Sequence, residues 1–377
     1  MPRPLVRPIL TAWLLVAAGC AEMPTQRMDA ALRAGDPRAA LALVKAGQAA
    51  YGPQGRLLFL MDQGALQHYA GDLSASAQTV DEAATLAGQL DAASIRQPAG
   101  REDGGVTAPY RGEHFERVLL PVLGLVDDAA LGQDAAALAQ ARQAQDEAMQ
   151  DAPSAGPDPV AYRDDALARY LAAMLHDSGG SGLDEAYRGY QQADAAFDAY
   201  GKLYATPKPQ RLKADLQRVA QALGKDADLA HWRGRDGDLA PHEPLAGGAE
   251  LVLLVYDGLA PVKMALPNLH FEPHAAPLPK GRLVAGVRTT VMELYEDVNA
   301  IAGRDLKDRL ALGTVKGIDL RSWRSLPGRV WIARLWVPSG ESRPRLYVDQ
   351  GGYTQTVDLG DLTLKAGERH FLFHGLY

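Results

Sequence analysis

An internal repeat near the start of the chain constrains its fold more than any other sequence feature. RAGDPRAALALVKAGQAAYGP (residues 33–53) and QGALQHYAGDLSASAQTVDEAATLA (residues 63–87) share a Gly-Asp dipeptide, at Gly35 and again at Gly71. The two glycines are 36 positions apart, and aligning them also aligns small and apolar residues downstream. A unit of this length is too short to be a domain. We therefore expect supersecondary units that bury their apolar faces on one another.

The aligned positions resemble the tetratricopeptide repeat, in which a Gly-Asp turn ends the first helix and small residues let the second helix pack closely. Ala40 aligns with Ser76, for example, and looser units follow from Leu131 and from Ala168. An Ala-rich helical bundle without stacked repeats is the alternative, because Ala periodicity is easily matched. We expect a repeat domain of the tetratricopeptide type (TPR-like) over residues 28–224.

The amino-acid composition changes near Gly224, where the helical periodicity ends. Ala dominates before this point, whereas Val, Pro, Trp and Gly are more frequent after it. Residues 225–248 are polar and contain Gly and Pro, so we interpret them as a linker. Residues 249–377 contain several strand patterns and one helical pattern near residues 296–312. The chain is therefore predicted to be α+β: an N-terminal all-α TPR-like repeat domain followed by a small β-rich, sandwich-like domain.

Two strand patterns in the β-rich region carry specific expectations. AELVLLVYDG, residues 249–258, begins with a continuous apolar run, so the strand should be buried on both faces. Its Asp257-Gly258 dipeptide is typical of a hairpin turn into the next strand. Between residues 330 and 337 both alternating faces are apolar apart from Arg334, which predicts a strand inside the sandwich.

The first twenty residues have the three parts of an export signal. A basic segment is followed by a short apolar run and then by the sequence Ala-Ala-Gly-Cys. This ending resembles the lipobox of bacterial lipoproteins, in which a peptidase cuts before the cysteine and its thiol carries a diacylglycerol. The resemblance implies a signal peptide at residues 1–19, lipidation of Cys20 and a tether at residues 20–27. A plain secretory signal cut after Ala21 is the alternative.

The residue after Cys20 and the net charge bear on location and partners. In the resembling lipoproteins an aspartate at that position retains the protein at the inner membrane. Here the position holds Ala21, so the resemblance implies an outer-membrane protein that is anchored by its lipid and faces the periplasm. The formal net charge is −7, so we expect no nucleic-acid partner.

Motifs in both halves of the chain point to one family. They are RGEHFERVLL at 111–120, DDALARYLAAMLH at 164–176, YDGLAPVK at 256–263, EDVNAIAGRDLKDRL at 296–310 and DLRSWRSLPGRVWIARLWVPSG at 319–340. Together they resemble a poorly characterised family of Gram-negative outer-membrane lipoproteins with a tetratricopeptide-like N-terminal half. Family members often carry a longer Ala-rich helical segment between the last two motifs, where this chain has only residues 311–318.

The resemblance implies a role in the cell envelope, because family members are often found with other small envelope lipoproteins. We expect a non-enzymatic scaffold for protein–protein interaction in envelope assembly. Its partners would be envelope proteins or lipoproteins, with peptidoglycan as a further candidate. A structural subunit of an envelope secretion complex is an alternative.

Two groups of residues are candidates for contact with such a partner. They are Tyr170, Tyr187 and Tyr190 in the last helical unit, and Arg321, Trp323 and Arg324 in the β-rich region. The tyrosines would line the curved surface of stacked helix pairs, and the arginines beside the tryptophan suit an anionic partner. Core packing and internal ion pairs are the alternatives, and core packing is the interpretation that we favour for most tyrosines.

The sequence contains few patterns that suit catalysis. His270 and His274 have a spacing seen in zinc ligands, but two histidines in an irregular Pro-containing loop do not close a metal site. They are the residues that an alternative function, a cell-wall-acting or metal-dependent hydrolase, would use. No phosphate-binding loop or nucleophile motif is present, and we expect no cofactor. Paired carboxylates such as Asp127-Asp128 and Asp164-Asp165 are interpreted as solvated helix faces or caps.

Overall fold

A computed structural model describes residues 25–96, 108–150, 164–178, 182–239, 243–265, 268–273, 278–311 and 319–377. The predicted signal peptide, Cys20 and the first part of the predicted tether lie outside these ranges, as do His274 and residues 312–318. The tether prediction overlaps the first helix, which begins at Thr25. Among the described helices, none has the length and apolar character that crossing a membrane requires.

Ten α-helices form most of the described part of the N-terminal region, and two short 3-10 helices (Gln48–Tyr51 and Pro53–Gly55) lie between the second and the third. The α-helices are α1 (Thr25–Arg33), α2 (Pro37–Ala46), α3 (Arg56–Tyr69), α4 (Leu73–Arg96), α5 (His114–Ala130), α6 (Asp134–Gln150), α7 (Ala166–Ser178), α8 (Leu183–Leu203), α9 (Gln210–Ala222) and α10 (Asp226–Asp236). Consecutive helices pack as hairpins: α1 with α2, α3 with α4, α5 with α6, α7 with α8, and α9 with α10.

Four of these hairpins turn at a glycine in the left-handed region, where glycine avoids the steric cost of a Cβ. The φ angles are +73° at Gly35, +82° at Gly71, +72° at Gly132 and +64° at Gly224. At Gly71 the turn is closed by two backbone bonds, of 2.9 Å each, from Gly71 N to the His68 carbonyl and from Asp72 N to the Gln67 carbonyl. The recurring turn confirms the helical repeats that the sequence predicted.

The helical region extends into the segment that the sequence suggested to be a linker, residues 225–248. Gly224 lies in a hairpin turn, and α10 follows it. The sequence signal was misleading because α10 is polar. Only Leu229 and Trp232 of this helix are buried, so its apolar periodicity is weak.

The described part of the C-terminal region contains twelve strands and one helix. The strands are β1 (Gly248–Leu259), β2 (Val262–Met264), β3 (His270–Glu272), β4 (Gly281–Ala285), β5 (Arg288–Val291), β6 (Glu293–Asp297), β7 (Pro327–Pro338), β8 (Gly340–Ser342), β9 (Arg345–Asp349), β10 (Thr354–Asp358), β11 (Leu362–Leu364) and β12 (Arg369–Leu376). The helix α11 (Val298–Ala311) corresponds to the predicted helical pattern.

The strands form two four-stranded sheets and two small ribbons. Sheet 1 has the order β12-β1-β7-β6, with β1 parallel to β12 and antiparallel to β7. Sheet 2 has the order β10-β9-β4-β5 and is antiparallel. The predicted hairpin turn at Asp257-Gly258 is wrong, because β1 continues to Leu259 alongside β7, and β2 pairs with β3 instead.

Sheet 1 is the middle of three layers. Alternate residues of β1, including Val252 and Leu254, belong to the same apolar core as the helices. The intervening residues, including Leu251 and Leu253, pack with residues of sheet 2. The prediction that this strand is buried on both faces is confirmed. The α+β fold class is confirmed too, with the added finding that the helical layer covers one face of the sandwich.

Candidate functional site

The first helices of successive hairpins face sheet 1, so the chain covers much of its own curved helical surface. His68 on α3 lies between Asp127 on α5 and Tyr256 on β1, with its two ring nitrogens 2.6 Å from Asp127 Oδ1 and 2.6 Å from the Tyr256 hydroxyl. With the proton on Nδ1, the imidazole donates to the carboxylate and accepts from the hydroxyl. The His68 and Asp127 side chains are fully buried, so this triad joins three elements. The sequence suggested that Asp127 lies on a solvated helix face or caps a helix, but its side chain is buried in this triad.

A second buried polar cluster joins sheet 1 to the helices through Arg334 of β7. Its Nη1 donates to Asp215 Oδ2 at 2.9 Å, and its Nη2 donates to Asp177 Oδ2 at 3.0 Å. Its Nε donates to Glu250 on β1, two residues before Val252, which pairs with Arg334 in the sheet. Arg218 pairs with Asp177 and lies within 3.5 Å of Asp215. Arg334, the only charged residue among residues 330–337 of β7, thus anchors the sheet to α7 and α9.

The tyrosine candidates lie in the interior. Tyr170 and Tyr190 are completely buried, and Tyr187 is 3% exposed. The Tyr190 hydroxyl donates to Asp177 Oδ2 at 2.8 Å and also accepts from Arg334. This placement agrees with the core-packing alternative, because burial leaves these rings little surface for a partner.

The second candidate group lies in the segment before β7. Trp323 is fully buried, and its backbone N–H donates to Glu116 Oε1 on α5 at 2.6 Å. Arg321 donates to the carbonyls of Gln54 and Ala108 at 3.2 and 2.9 Å, so it fastens this segment to the helical layer.

The other arginine of this group, Arg324, pairs with Asp29 of α1 at 2.8 Å. Both arginines therefore have internal partners, which was the alternative given by the sequence. Of the six candidates, the structure brings Tyr170 and Tyr190 together, with ring centroids 5.8 Å apart, and it brings Tyr190 to the Arg334 cluster.

Burial changes the ionisation of two carboxyl groups at this junction. Burial, with a smaller contribution from the charge of Glu113, raises the pKa of Glu116 to about 7. Burial raises the pKa of Asp62 to about 6, although hydrogen bonds from Ser325 and Tyr51 favour its charged form. Burial at this junction therefore moves the titration of both carboxyl groups upward toward neutral pH.

The histidine candidates do not form a metal site in the described part of the chain. His270 on β3 is exposed, and its Nδ1 lies 2.5 Å from the Asn268 carbonyl oxygen. Within the described ranges, no cluster of three or more His, Cys, Asp or Glu side chains is suited to hold a metal ion. His274 is outside those ranges.

Two open grooves lie between successive hairpins and are lined only by residues of the helical layer. The α4–α6 groove is about 450 Å³ and includes Asp81 and Asp128. The α6–α8 groove is about 250 Å³ and includes Arg142, Arg169 and Arg188. Burial and the charges of neighbouring aspartates raise the pKa of Asp128 to about 6. Neither groove has a lining residue from sheet 1, so the sheet leaves both accessible.

Sequence reasoning missed the groove residues because no local pattern separates them from other polar positions of a helix. The α6 and α8 residues of the second groove recur with the spacing i, i+3, i+4 and i+7, which places them on one helix face. That spacing was visible in the sequence. What was not visible is which face would be covered by the sheet.

No family model matches the chain, and no curated protein matches it. Several solved structures resemble it weakly. A crystal structure of MamA is 12% identical, covers 55% of this chain and 91% of its own, and has a TM-score of 0.36. MamA 41-end from Desulfovibrio magneticus RS-1 is 15% identical, with coverage of 58% and 93% and a TM-score of 0.36.

A putative kinesin light chain from Podosopora anserina, described as having nearly identical TPR-like repeats, is 14% identical. It covers 56% of this chain and 90% of its own, with a TM-score of 0.36. Similarity at this level carries no conclusion about function. The architecture described above rests on the helices, turns and sheets of this chain itself.

Proposed function

We propose that the protein is a non-enzymatic scaffold, anchored in the outer membrane by a lipid on Cys20 and facing the periplasm, that binds other envelope proteins through its helical hairpins. The observation that supports binding is the pair of open grooves between hairpins, at Asp81 and Asp128 and at Arg142 and Arg188. Stacked helix pairs usually bind proteins or peptides in this way. The lipobox-like sequence and the family resemblance support the location and the envelope role.

The buried polar groups have a structural role in this proposal. The Asp127, His68 and Tyr256 side chains have the order of a base-activated hydroxyl, yet they are enclosed by α3, α5 and β1. A hydroxyl that reacts with a substrate must have that substrate beside it, whereas Tyr256 is buried within the protein. The triad instead gives each of three buried side chains a hydrogen-bond partner, which lowers the cost of burying them, although Asp127 Oδ2 has no partner among the described residues.

Lipid anchoring is tested by metabolic labelling with palmitate. We expect label on the wild-type protein, none on Cys20→Ala, and wild-type protein in the outer-membrane fraction of a density gradient. Two acyl chains bind a bilayer stably, whereas the acidic body does not bind anionic lipid by itself. Equal labelling of both proteins would refute the anchor.

Partner binding is tested by site-specific photocrosslinking in intact cells. A photoreactive residue is placed at Gln143 of the α4–α6 groove, at Gln192 of the α6–α8 groove, and at Thr356 on β10 as the control. We expect discrete adducts with an envelope protein from the groove positions and none from Thr356. The same adducts from all three positions, or adducts from Thr356 alone, would contradict the scaffold proposal.

A further inference from the structure

The α6–α8 groove combines a floor of small residues with a rim of cations. Ala168, Ala172 and Ala173 of α7 and Gly189 of α8 are among its lining residues. A Cβ built on Gly189 would lie only 2.8 Å from the Ala173 Cβ, which shows how closely α7 and α8 approach. Small side chains leave the backbone of a ligand free to come near the helices.

The arginines around this floor differ in how far they are already paired. Arg169 is bound to Asp164 at 2.7 Å and to Gln192 at 3.0 Å. Among the described residues Arg188 has one ion-pair partner, Glu185 at 2.8 Å, and 65% of its side chain is exposed. Arg142 is exposed, and within the described residues it has no ion pair or hydrogen bond. Two guanidinium groups are thus accessible to a ligand, in a chain whose net charge is −7.

The preceding groove provides a natural comparison, because it has the same construction and the opposite charge. The α4–α6 groove is also lined by Ala and Gln residues of α6, but its ionisable residues are Asp81 and Asp128. Asp81 accepts a hydrogen bond from Gln140 at 2.8 Å. An anionic ligand would be repelled from this groove and attracted to the next one.

From this contrast we infer that the α6–α8 groove binds an acidic segment of a partner protein, in extended conformation. The inference rests on the proposed scaffold function and specifies the chemistry that one groove recognises. The α6 residues from Leu138 to Gln145 span about 10 Å along the helix, which matches about three to four extended residues. Carboxylates of the segment would pair with Arg142 and Arg188, competing with Glu185 for the latter.

The test is fluorescence anisotropy with a labelled peptide of the sequence AEEAEEA and the intact protein. Each of Arg142→Gln and Arg188→Gln should weaken binding about 5-fold, as expected for exposed but oriented ion pairs. Glu185→Gln should strengthen binding, because it removes a competing carboxylate from Arg188. Binding should also weaken with added salt.

Arg343→Gln is the matched control, since it removes the same charge from an exposed ion pair in the β-rich region. It should leave the affinity unchanged, and a peptide with Lys in place of Glu should not bind in this groove. No binding of the acidic peptide, or equal weakening by Arg343→Gln and Arg142→Gln, would overturn the inference.

The outcomes for the groove and for the scaffold function are separable. If photocrosslinking yields groove adducts but the acidic peptide does not bind, the groove inference is wrong and the scaffold function stands. If the acidic peptide binds through Arg142 and Arg188 but Cys20→Ala labels like wild type, the groove inference is supported and the anchoring proposal fails.

Discussion

Replacing Arg334 with Met tests whether the buried charge cluster joins the helical layer to sheet 1. The guanidinium donates to Asp177, Asp215 and Glu250, and also to the Tyr190 hydroxyl at 2.9 Å. Methionine fills a similar volume but takes from the three carboxylates the guanidinium that they share, which leaves Arg218 near Asp177 and Asp215, Arg211 near Asp215, and Arg369 4.0 Å from Glu250. Unpairing buried charges by removing one partner costs about 3–5 kcal/mol.

The expected loss is therefore about 3–5 kcal/mol of unfolding free energy, or about 6–10 °C in Tm at about 2 °C per kcal/mol for a large chain. Guanidinium titration and thermal unfolding followed by circular dichroism measure it. Arg343→Met is the control. Its ion pair with Asp358 is exposed to solvent, so its loss should not change the unfolding free energy measurably.

The pH dependence adds a second readout. Burial alone would raise the pKa of Asp215, but the guanidinium groups of Arg211, Arg334 and Arg218 hold it below its usual range. A lowered pKa stabilises the fold above the unfolded value near 4, and this stability is lost as the pH falls below it. The difference between wild type and Arg334→Met should thus shrink in acid. A loss no larger than that of Arg343→Met, or one independent of pH, would refute the reasoning.

Three further predictions concern the junction and the repeat turns. Burial raises the pKa of Glu116 to about 7, so the stabilising effect of this group is present below about pH 4.5 and is lost as the pH rises through 7. The unfolding free energy of wild type relative to Glu116→Gln should therefore fall by about 3 kcal/mol over this range, as measured by urea titrations. Gly71→Ala should destabilise the protein by about 1 kcal/mol, because φ at this position is +82°. Gly88→Ala lies in the interior of α4 with open space around it and should stabilise the protein by about 0.5–1 kcal/mol. Thermal unfolding measures both changes, and changes in stability of the same sign would contradict the turn assignment. Circular dichroism at 222 nm and tryptophan fluorescence should give one coincident unfolding transition, since the helices and sheet 1 share a core, and separate midpoints would show independent units.

The sequence predicted well the features that depend on neighbouring residues. A turn of the kind found at Gly35, Gly71 and Gly132 requires a backbone conformation that glycine adopts without strain. The presence of glycine at these positions therefore predicts the turn. The apolar run of β1 likewise reports a strand that is buried on both faces. Such local rules also explain why the linker and the Asp257-Gly258 turn were predicted wrongly. Gly224 indicates a turn, but it does not indicate whether a polar helix follows the turn. The Asp257-Gly258 dipeptide is equally compatible with a turn and with a strand that continues.

Contacts between distant parts of the chain decided which helix faces are buried and which remain open as a candidate binding surface. Arg334 meets Asp215 and Asp177 across 119 and 157 residues, and no periodicity within either region indicates that pairing. The sequence by itself determined helical hairpins and a β-rich region, and it supplied the single cysteine, Cys20, on which the anchoring proposal rests. Only the tertiary structure decided that sheet 1 covers the inner side of the hairpins and that the arginines of the α6–α8 groove stay accessible. The physical reason is that burial and charge pairing are set by which faces meet, whereas propensity and spacing describe each face alone.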